Sequence, residues 1–275
     1  MLDPALLMRR AIRHVCDTNG LAVDNLTILT SDQRTKFQEL CHAVADDMRY
    51  NQLRYFRPFE HQLRFFETGQ SDRRGILAAN RIGKTVSTCY ETAMHLTGQY
   101  PEWWTGKRFN KPITAMVAGE GWSQVAMVLQ NELLGTQDIK ITDSIGTGAI
   151  PRDCIVFDTM RNDGANCLGV EVRHTTGSNS YLVFANYTQE VRQMQGFKLT
   201  LAVFDEQPPD DFFSEIVTRT ATTQGQVLCS FTPLKGLNGL VSKFWNNEEG
   251  YNHIRVSWDD VPEYDPWGEP FLLNS

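Results

Sequence analysis

The feature that most constrains the fold is the segment 77–85, Leu-Ala-Ala-Asn-Arg-Ile-Gly-Lys-Thr. Its end matches the pattern G-x-x-x-x-G-K-[ST], in which the backbone N–H groups of a loop surround phosphate groups, although Ala78 replaces the first glycine. A lone Gly-Lys-Thr also arises by chance at helix starts, so the pattern is informative only between a strand and a helix. The apolar run 75–79 predicts a buried strand and residues 86–97 predict a helix, which together indicate an α/β fold built around this loop.

A second segment, 201–206, reads Leu-Ala-Val-Phe-Asp-Glu and predicts a buried strand that ends in two carboxylates. Thr85 and Asp205 are the predicted ligands of Mg²⁺, and Lys84 is predicted to hold the phosphates and to act in catalysis. Glu206 is the predicted catalytic base, because a carboxylate beside the metal ligand can orient or deprotonate the attacking water. The two segments together predict an ATP-hydrolysing site.

Other positions are predicted to complete this ATP site. Gln62 can read the adenine edge through its amide, although a glutamine beside aromatic residues is also typical of a helix surface. Ser230 and Thr232 end another predicted strand and can contact the γ-phosphate, although hydroxyl groups at strand ends also form ordinary turns. The predicted nucleotide-binding residues are Gln62, Asn80, Arg81, Ile82, Gly83, Lys84, Thr85, Ser230 and Thr232.

The hydrophobic pattern divides the chain into three stretches. Residues 1–54 predict a small helical appendage, because apolar residues recur at helical spacing. Residues 55–258 alternate short apolar runs with helical patterns, which predicts a mostly parallel sheet covered by helices on both faces. Residues 259–275 predict a linker, in which the acidic cluster of Asp259, Asp260, Glu263 and Asp265 lacks a following sheet and so is not expected to bind metal.

The elements of the central stretch can be located individually. The predicted strands are 75–79, 113–119, 169–173, 181–186, 199–205, 226–231 and 253–258. The predicted helices are 86–97, 122–134, 211–221 and 240–246. Residues 136–166 contain several glycines and a proline and predict loops around one short apolar run.

Charge and composition restrict the class of function. A net charge of −7 argues against a protein that coats nucleic acid through a general positive field, although local contact with DNA stays compatible. No apolar stretch approaches the roughly 20 residues that cross a bilayer. The six cysteines form no C-x-x-C pairs, which indicates free thiols in a reducing cytoplasm rather than zinc or disulfide sites.

Several further segments carry a family resemblance. They are His-Leu-Thr-Gly-Gln-Tyr-Pro at 95–101, Gly-Lys-Arg-Phe at 106–109, Phe-Asp-Glu-Gln-Pro-Pro at 204–209 and Phe-Thr-Pro-Leu-Lys-Gly at 231–236. With the phosphate loop, they resemble the ATPase domain of the large terminase subunit of tailed double-stranded DNA bacteriophages. The resemblance covers residues 55–262 and looks strongest to the branch of short-tailed phages that package DNA by the headful mechanism. In this family the loop often lacks its first glycine.

The resemblance implies an ASCE-type P-loop ATPase that binds ATP and Mg²⁺ and pumps double-stranded DNA into an empty capsid. It implies a homo-oligomeric ring in the host cytoplasm, transiently at the portal vertex, with the portal protein and the small terminase subunit as partners and no membrane. Gln62 matches the family's adenine-recognition glutamine, and residues 230–232 match the segment that couples hydrolysis to DNA movement. Arg81 lies at a loop position where many terminases carry an arginine, but this position varies in the most similar branch.

A ring motor also needs a cation from a neighbouring subunit to stabilise charge on the transferred phosphoryl group. Family members often place this arginine directly before a glycine upstream of the Asp-Glu strand, where this chain has Gln195 before Gly196. Arg192, one helical turn earlier, is the substitute candidate, and an ordinary solvated arginine is the alternative interpretation.

Two alternatives to a packaging motor stay open from the sequence. A helicase-like DNA remodeller would require a later arginine-rich motif and a second RecA-like lobe, neither of which is seen. A P-loop module that binds nucleotide without turnover could serve as an assembly platform, but Glu206 beside Asp205 favours hydrolysis. Large terminase subunits carry a C-terminal nuclease, and residues 259–275 are expected to lead toward it. These residues leave no room for such a domain, so DNA cleavage is not expected of this chain.

Overall fold

The computed structural model describes residues 3–135, 144–164, 166–189, 198–232, 239–248 and 250–269. The helices are α1 (Pro4–Asn19), α2 (Ser31–Tyr50), α3 (Glu60–Glu67), α4 (Lys84–Thr97), α5 (Trp122–Gln124), α6 (Asn131–Leu134), α7 (Asp210–Ala221) and α8 (Gly239–Trp245). The strands are β1 (Arg73–Ala78), β2 (Thr114–Gly119), β3 (Ile155–Asp163), β4 (Asn166–Arg173), β5 (Asn179–Asn186), β6 (Leu201–Asp205), β7 (Gln226–Phe231) and β8 (Tyr251–Val256). A π-helical segment, Val125–Gln130, joins α5 to α6, so residues 122–134 form one helix, named helix 122–134 below.

All eight strands form one sheet in the order β3-β4-β5-β2-β6-β7-β1-β8. The six strands from β5 to β8 run parallel, while β4 pairs antiparallel with both β5 and β3 at one edge. The prediction of a mostly parallel sheet is therefore confirmed. Because β1, β7 and β6 are adjacent and parallel, their carboxyl ends lie side by side, with Asp205 opposite Ser230 and Leu77 opposite Phe231.

The sheet separates two apolar clusters, as a sheet with helices on both faces requires. Successive side chains of a strand point to opposite faces, so Ile76 and Leu77 of β1 belong to different clusters. One cluster includes residues of α4 and helix 122–134, and the other includes Phe212 of α7 and Phe244 of α8. Every residue of β6 and β7 is buried, which explains why these strands read as continuous apolar runs in the sequence.

Most predicted elements are confirmed, with bounds that differ by a few residues. The prediction of loops over 136–166 is wrong for β3, which spans Ile155–Asp163. This strand lies at the sheet edge with several exposed residues, among them Phe157 with 44% of its surface exposed, so it has no continuous apolar run. The helix α3 is absent from the predicted helices, because its eight residues give too short a pattern to separate from the aromatic stretch before the loop.

The two ends of the described chain lie against each other. Trp267 is buried in a cluster with Leu7 and Ala11 of α1 and with residues of α2. Asp265 accepts a hydrogen bond of 2.8 Å from the Arg10 guanidinium, and its other carboxylate oxygen accepts bonds from two backbone N–H groups of the same turn. Residues 265–269 of the predicted linker thus pack on the N-terminal helices, while the boundaries at 54 and 258 stay predictions.

Two expectations from composition can be compared with the described residues. All six cysteines are buried and free. No described helix combines the length and the apolar character that crossing a membrane requires. The described residues also contain no group of three or more histidine, cysteine or acidic side chains placed to hold a metal ion.

Candidate nucleotide-binding site

The loop between β1 and α4 follows the prediction closely. Gly83 directly precedes α4 with a φ of 83°, in the left-handed region that favours glycine. A Cβ atom at this position would lie 2.8 Å from Nε2 of Gln62, so the position requires glycine for both conformation and space. Ala78, by contrast, ends β1 with its side chain in the apolar core, which explains how the loop forms without the first glycine of the motif.

Lys84 begins α4, and its ammonium group is buried under the loop. It donates hydrogen bonds to the carbonyl oxygens of Ala78 (3.1 Å) and Ala79 (2.8 Å) and to the hydroxyl oxygen of Thr232 (2.9 Å). Burial lowers the pKa of Lys84, and the neighbouring carboxylates of Glu206 and Asp205 oppose this shift. The lysine therefore lies between the loop and the ends of β6 and β7.

Asp205 ends β6 and is the best-connected carboxylate of the site. Its Oδ1 accepts hydrogen bonds from the hydroxyl groups of Thr85 (2.7 Å) and Ser230 (2.8 Å), and its Oδ2 accepts one from the amide of Gln124 (3.0 Å). Burial raises the pKa of Asp205, while these hydrogen bonds and Lys84 oppose the rise. The structure thus brings together Thr85 and Asp205, the two predicted magnesium ligands.

Glu206 follows β6 in an unusual conformation, with a φ of 61° that non-glycine residues rarely adopt. Its N–H donates to the carbonyl oxygen of Ser230 at 2.7 Å, and its Oε2 accepts a bond from the N–H of Thr232 at 3.3 Å. The Tyr187 hydroxyl lies 2.8 Å from the carbonyl oxygen of Asp205 and 2.9 Å from that of Glu206. Burial raises the pKa of Glu206, which lines the same cavity as the loop.

The remaining predicted nucleotide-binding residues surround the loop. The Thr232 hydroxyl donates to the side-chain oxygen of Asn80 at 2.8 Å, so the end of β7 is tied to the loop. Gln62 accepts a bond from the N–H of Phe59 (3.0 Å) and donates to the carbonyl oxygen of Gly83 (3.2 Å), which leaves one of its amide hydrogens for another acceptor. The Ile82 side chain is buried, so this residue offers only its backbone to the site.

Two arginines are predicted to act at the nucleotide site, and the structure describes only one of them. Arg81 has a φ of 65° and lines the cavity with an exposed side chain. Arg192 lies outside the described residues, so its role stays a prediction. Sequence reasoning missed Gln124 and Tyr187, whose contacts with the Asp-Glu segment depend on β2 and β5 lying near β6 in the sheet.

The loop, Lys84, Thr85, Glu206 and Gln62 line one cavity of about 620 Å³. Its phosphate end is formed by the loop, Lys84, Thr85 and Glu206, and it continues along α4 past Val86 and Tyr90. The opposite wall comes from α1, from residues 52–59 and from residues 265–267. A pocket of this size is typical of sites for molecules as large as a nucleotide.

A buried cluster of polar side chains holds together the helices and the strand around the loop. Arg74 of β1 forms a buried ion pair with Glu91 of α4, and Glu91 also contacts Nε2 of His95 at 3.2 Å. A second hydrogen bond, of 3.2 Å, joins the Arg74 guanidinium to the carbonyl oxygen of Phe65 in α3. Burial raises the pKa of Glu91, but Arg74 and His95 lower it further, so the net shift is downward. The group ties together α3, β1 and α4.

The chain is similar to known proteins over most of its length. Residues 76–266 match the family model described as terminase large subunit, T4likevirus-type, N-terminal. The large terminase subunit of Salmonella phage P22 is 29% identical over 238 residues, which cover 80% of this chain and 47% of that protein. The chain therefore spans about half the length of this relative.

Solved structures show the same fold. The large terminase ATPase domain of Thermus phage P74-26 superimposes with a TM-score of 0.54 at 14% identity, covering 76% of this chain and 85% of that one. The large terminase of another thermophilic bacteriophage, in complex with ATP-gamma-S, gives a TM-score of 0.51 at 13% identity over 76% of this chain and 47% of that one. Because the family model matches more than half of the residues, the chain belongs to the family of terminase large subunits.

Proposed function

We propose that this chain is a Mg²⁺-dependent ATPase whose hydrolysis drives double-stranded DNA into a preformed capsid. The main observation behind the proposal is that the side chains of Lys84, Thr85, Asp205 and Glu206 lie together at one end of a nucleotide-sized cavity. Family membership supports it, as does the ATP-gamma-S bound to a thermophilic bacteriophage terminase of the same fold.

The residues at the carboxyl ends of β1 and β6 fit Mg²⁺ and a triphosphate. Magnesium prefers oxygen ligands, and the Thr85 hydroxyl and Asp205 carboxylate oxygens lie 2.7 Å apart on adjacent elements. Mg²⁺ held by Thr85 and Asp205 would supply positive charge that offsets the negative charge developing on the phosphates during transfer. The loop N–H groups and the Lys84 ammonium group would hold the same phosphates from the other side.

Glu206 is proposed to act on the attacking water. Its carboxylate lines the cavity, and its backbone is held by Ser230 and Tyr187, so the side chain has a defined direction. A general base contributes about 10²–10⁴-fold to a rate when it lies within hydrogen-bond distance of its proton. Thr232 links this carboxylate to Lys84, and Ser230 links the Glu206 backbone to the Asp205 carboxylate, which supports a role for both in sensing the γ-phosphate.

The wider assignment follows from the family. We propose a homo-oligomeric ring in the host cytoplasm that works at the portal vertex, with the portal protein and the small terminase subunit as partners. In this ring Arg192 is proposed to reach the ATP of a neighbouring subunit. Gln62 is proposed to contact adenine, and residues 259–275 are proposed to form a linker. The alternative is a nucleotide-binding platform without turnover.

Steady-state ATP hydrolysis tests the proposal. Turnover per subunit should rise with protein concentration, respond to double-stranded DNA and disappear in Glu206→Gln, while Mg²⁺-ATP binding by this variant stays close to that of the unaltered chain. Lys84→Ala should weaken nucleotide binding instead, because it removes the cation that contacts the phosphates. Strong hydrolysis by Glu206→Gln would exclude its role as base, and binding without turnover at any concentration would favour the platform.

A further inference from the structure

The cavity extends well beyond the place where phosphates would lie. Gln124, in the first turn of helix 122–134, contacts Asp205, while Glu132 in the last turn lines the same cavity. Eight residues separate the two positions, and because residues 125–130 are π-helical, with a smaller rise per residue than an α-helix, this corresponds to at most about 12 Å along the axis. This distance is comparable with that from the γ-phosphate to the nucleoside of an extended ATP molecule. Glu132 therefore lies at the depth where a nucleoside is expected.

The other polar side chains at this end of the cavity are already paired within the protein. The pairs are Tyr90 with Gln52 (3.0 Å), Arg10 with Asp265 (2.8 Å), Tyr55 with Asp47 (2.6 Å) and Arg57 with Asp17 (3.1 Å). Gln52 also donates from its amide to the carbonyl oxygen of Thr147 at 2.5 Å, so both ends of this amide are in use. Tyr90, Tyr55 and Gln52 therefore have little bonding capacity left for a ligand, while Arg10 and Arg57 keep N–H donors but offer no acceptor.

Glu132 differs from these neighbours. Among the described residues, no hydrogen bond or ion pair involves its carboxyl group; only its backbone carbonyl is bonded, to the N–H of Ala149. The residue is partly buried, and burial raises the pKa of its carboxyl, which is the cost of placing an acid in an apolar wall beside Val128 and Tyr90. A carboxylate that lines a cavity, partly withdrawn from water and with no partner among the described residues, has free acceptor capacity for a ligand.

We infer that Glu132 accepts a hydrogen bond from the nucleoside part of the bound nucleotide and thereby contributes to the choice of nucleotide. The inference deepens the proposed function and rests on it, because it concerns the same cavity. Two groups of adenosine can supply the donor, the 6-amino group of the base and the 2′-hydroxyl of the ribose. Either one would satisfy an acceptor that has no other described partner.

Isothermal titration calorimetry with Mg²⁺ and ADP, 2′-deoxyADP or IDP tests the inference without hydrolysis. IDP lacks the 6-amino group and 2′-deoxyADP lacks the 2′-hydroxyl, so the weaker ligand identifies the donor. The unaltered chain should bind one of these analogues about tenfold or more weakly than ADP, since a hydrogen bond to a charged acceptor is lost.

Variants separate recognition from structure. Glu132→Leu removes the acceptor and should weaken ADP binding by about tenfold while abolishing the preference among the three ligands. Glu132→Gln keeps one acceptor oxygen and should retain part of the preference. Glu39→Leu, the same change at an exposed position of α2, should alter neither property. Melting temperatures of the variants check that each is folded.

Two results would overturn the inference. One is equal binding of ADP, 2′-deoxyADP and IDP by the unaltered chain, and the other is an unchanged preference in Glu132→Leu. If the unaltered chain bound none of the three, the proposed ATPase function would fail and the inference with it. Binding without discrimination would overturn the inference alone.

Discussion

The buried ion pair between Arg74 and Glu91 predicts how much unfolding free energy the chain loses when the pair is broken. The side chains of Arg74, Glu91 and His95 have no exposed surface. Replacing Glu91 by glutamine keeps the shape and one acceptor oxygen but leaves the guanidinium charge buried without an opposite charge. Removal of one partner from a buried pair costs about 3–5 kcal/mol, and the retained oxygen places Glu91→Gln at the lower end, about 3 kcal/mol.

Urea denaturation and thermal unfolding measure this cost. For a chain of this length each kcal/mol lowers the melting temperature by roughly 2–4 °C, so Glu91→Gln should melt about 6–12 °C earlier. The control is Asp32→Asn, which removes the exposed pair of Asp32 with Lys36, whose side chains are 77% and 73% exposed. It should cost less than about 1 kcal/mol. A Glu91→Gln loss as small as that of the control would refute the reasoning.

The pH dependence of this pair has a definite sign. The pKa of Glu91 is lowered in the folded chain, so the unfolded state takes up the proton first as the pH falls. The stabilisation is therefore complete above the unfolded pKa, near 4.5, and is lost as the pH falls through the lower folded pKa. The stability difference between the unaltered chain and Glu91→Gln should narrow in that acid range. It should be constant only well above pH 6.5, the ordinary pKa of His95, because the Glu91 charge also raises the pKa of His95.

Three further predictions concern the site itself. Gly83→Ala should weaken Mg²⁺-ADP binding about tenfold, because a left-handed alanine costs about 1–2 kcal/mol and its Cβ would press on Gln62; unchanged affinity in calorimetry would contradict this. Tyr187→Phe should cost about 1–3 kcal/mol of unfolding free energy and slow turnover, since the carbonyl groups of Asp205 and Glu206 lose the single hydroxyl donor that they share; a variant with normal kcat would show that the hydroxyl does not position Glu206. Because burial raises the pKa of Asp205 above its ordinary 3.8, Mg²⁺-nucleotide affinity should fall as the pH is lowered through that raised value, and constant affinity down to about pH 4 would contradict this.

The parts of the site that lie close together in sequence could be predicted. The loop 77–85 carries its own strand, turn and helix signals, and β6 is buried on both faces, so its apolar run is continuous. Gln124 and Tyr187 could not be found in this way. Their contacts with the Asp-Glu segment arise only because β2 lies between β5 and β6 in the sheet. Local sequence patterns do not determine this order of strands.

The edge of the sheet was the hardest part of the fold to predict. The strand β3 pairs on one side only, with register shifts after Val156, and its outer residues face solvent. Neither periodicity nor a buried apolar run therefore distinguishes it from a loop. The antiparallel pairing of β4 with β5, by contrast, can be inferred from the sequence, because residues 174–178 between them are too few for the crossover that parallel neighbours require.

The position of Lys84 has a consequence for the free energy of phosphate binding. An ammonium group has three N–H donors, and the structure directs three contacts at Ala78, Ala79 and Thr232. A phosphate oxygen that approaches this lysine must therefore compete with a partner that the chain already provides. The binding free energy then reflects the difference between the new bond to phosphate and the lost bond to the protein, so it is smaller than the strength of the new bond alone. Where the displaced partner is Thr232, each arrival or departure of phosphate also breaks or restores a bond at the tip of β7, 148 residues away along the chain.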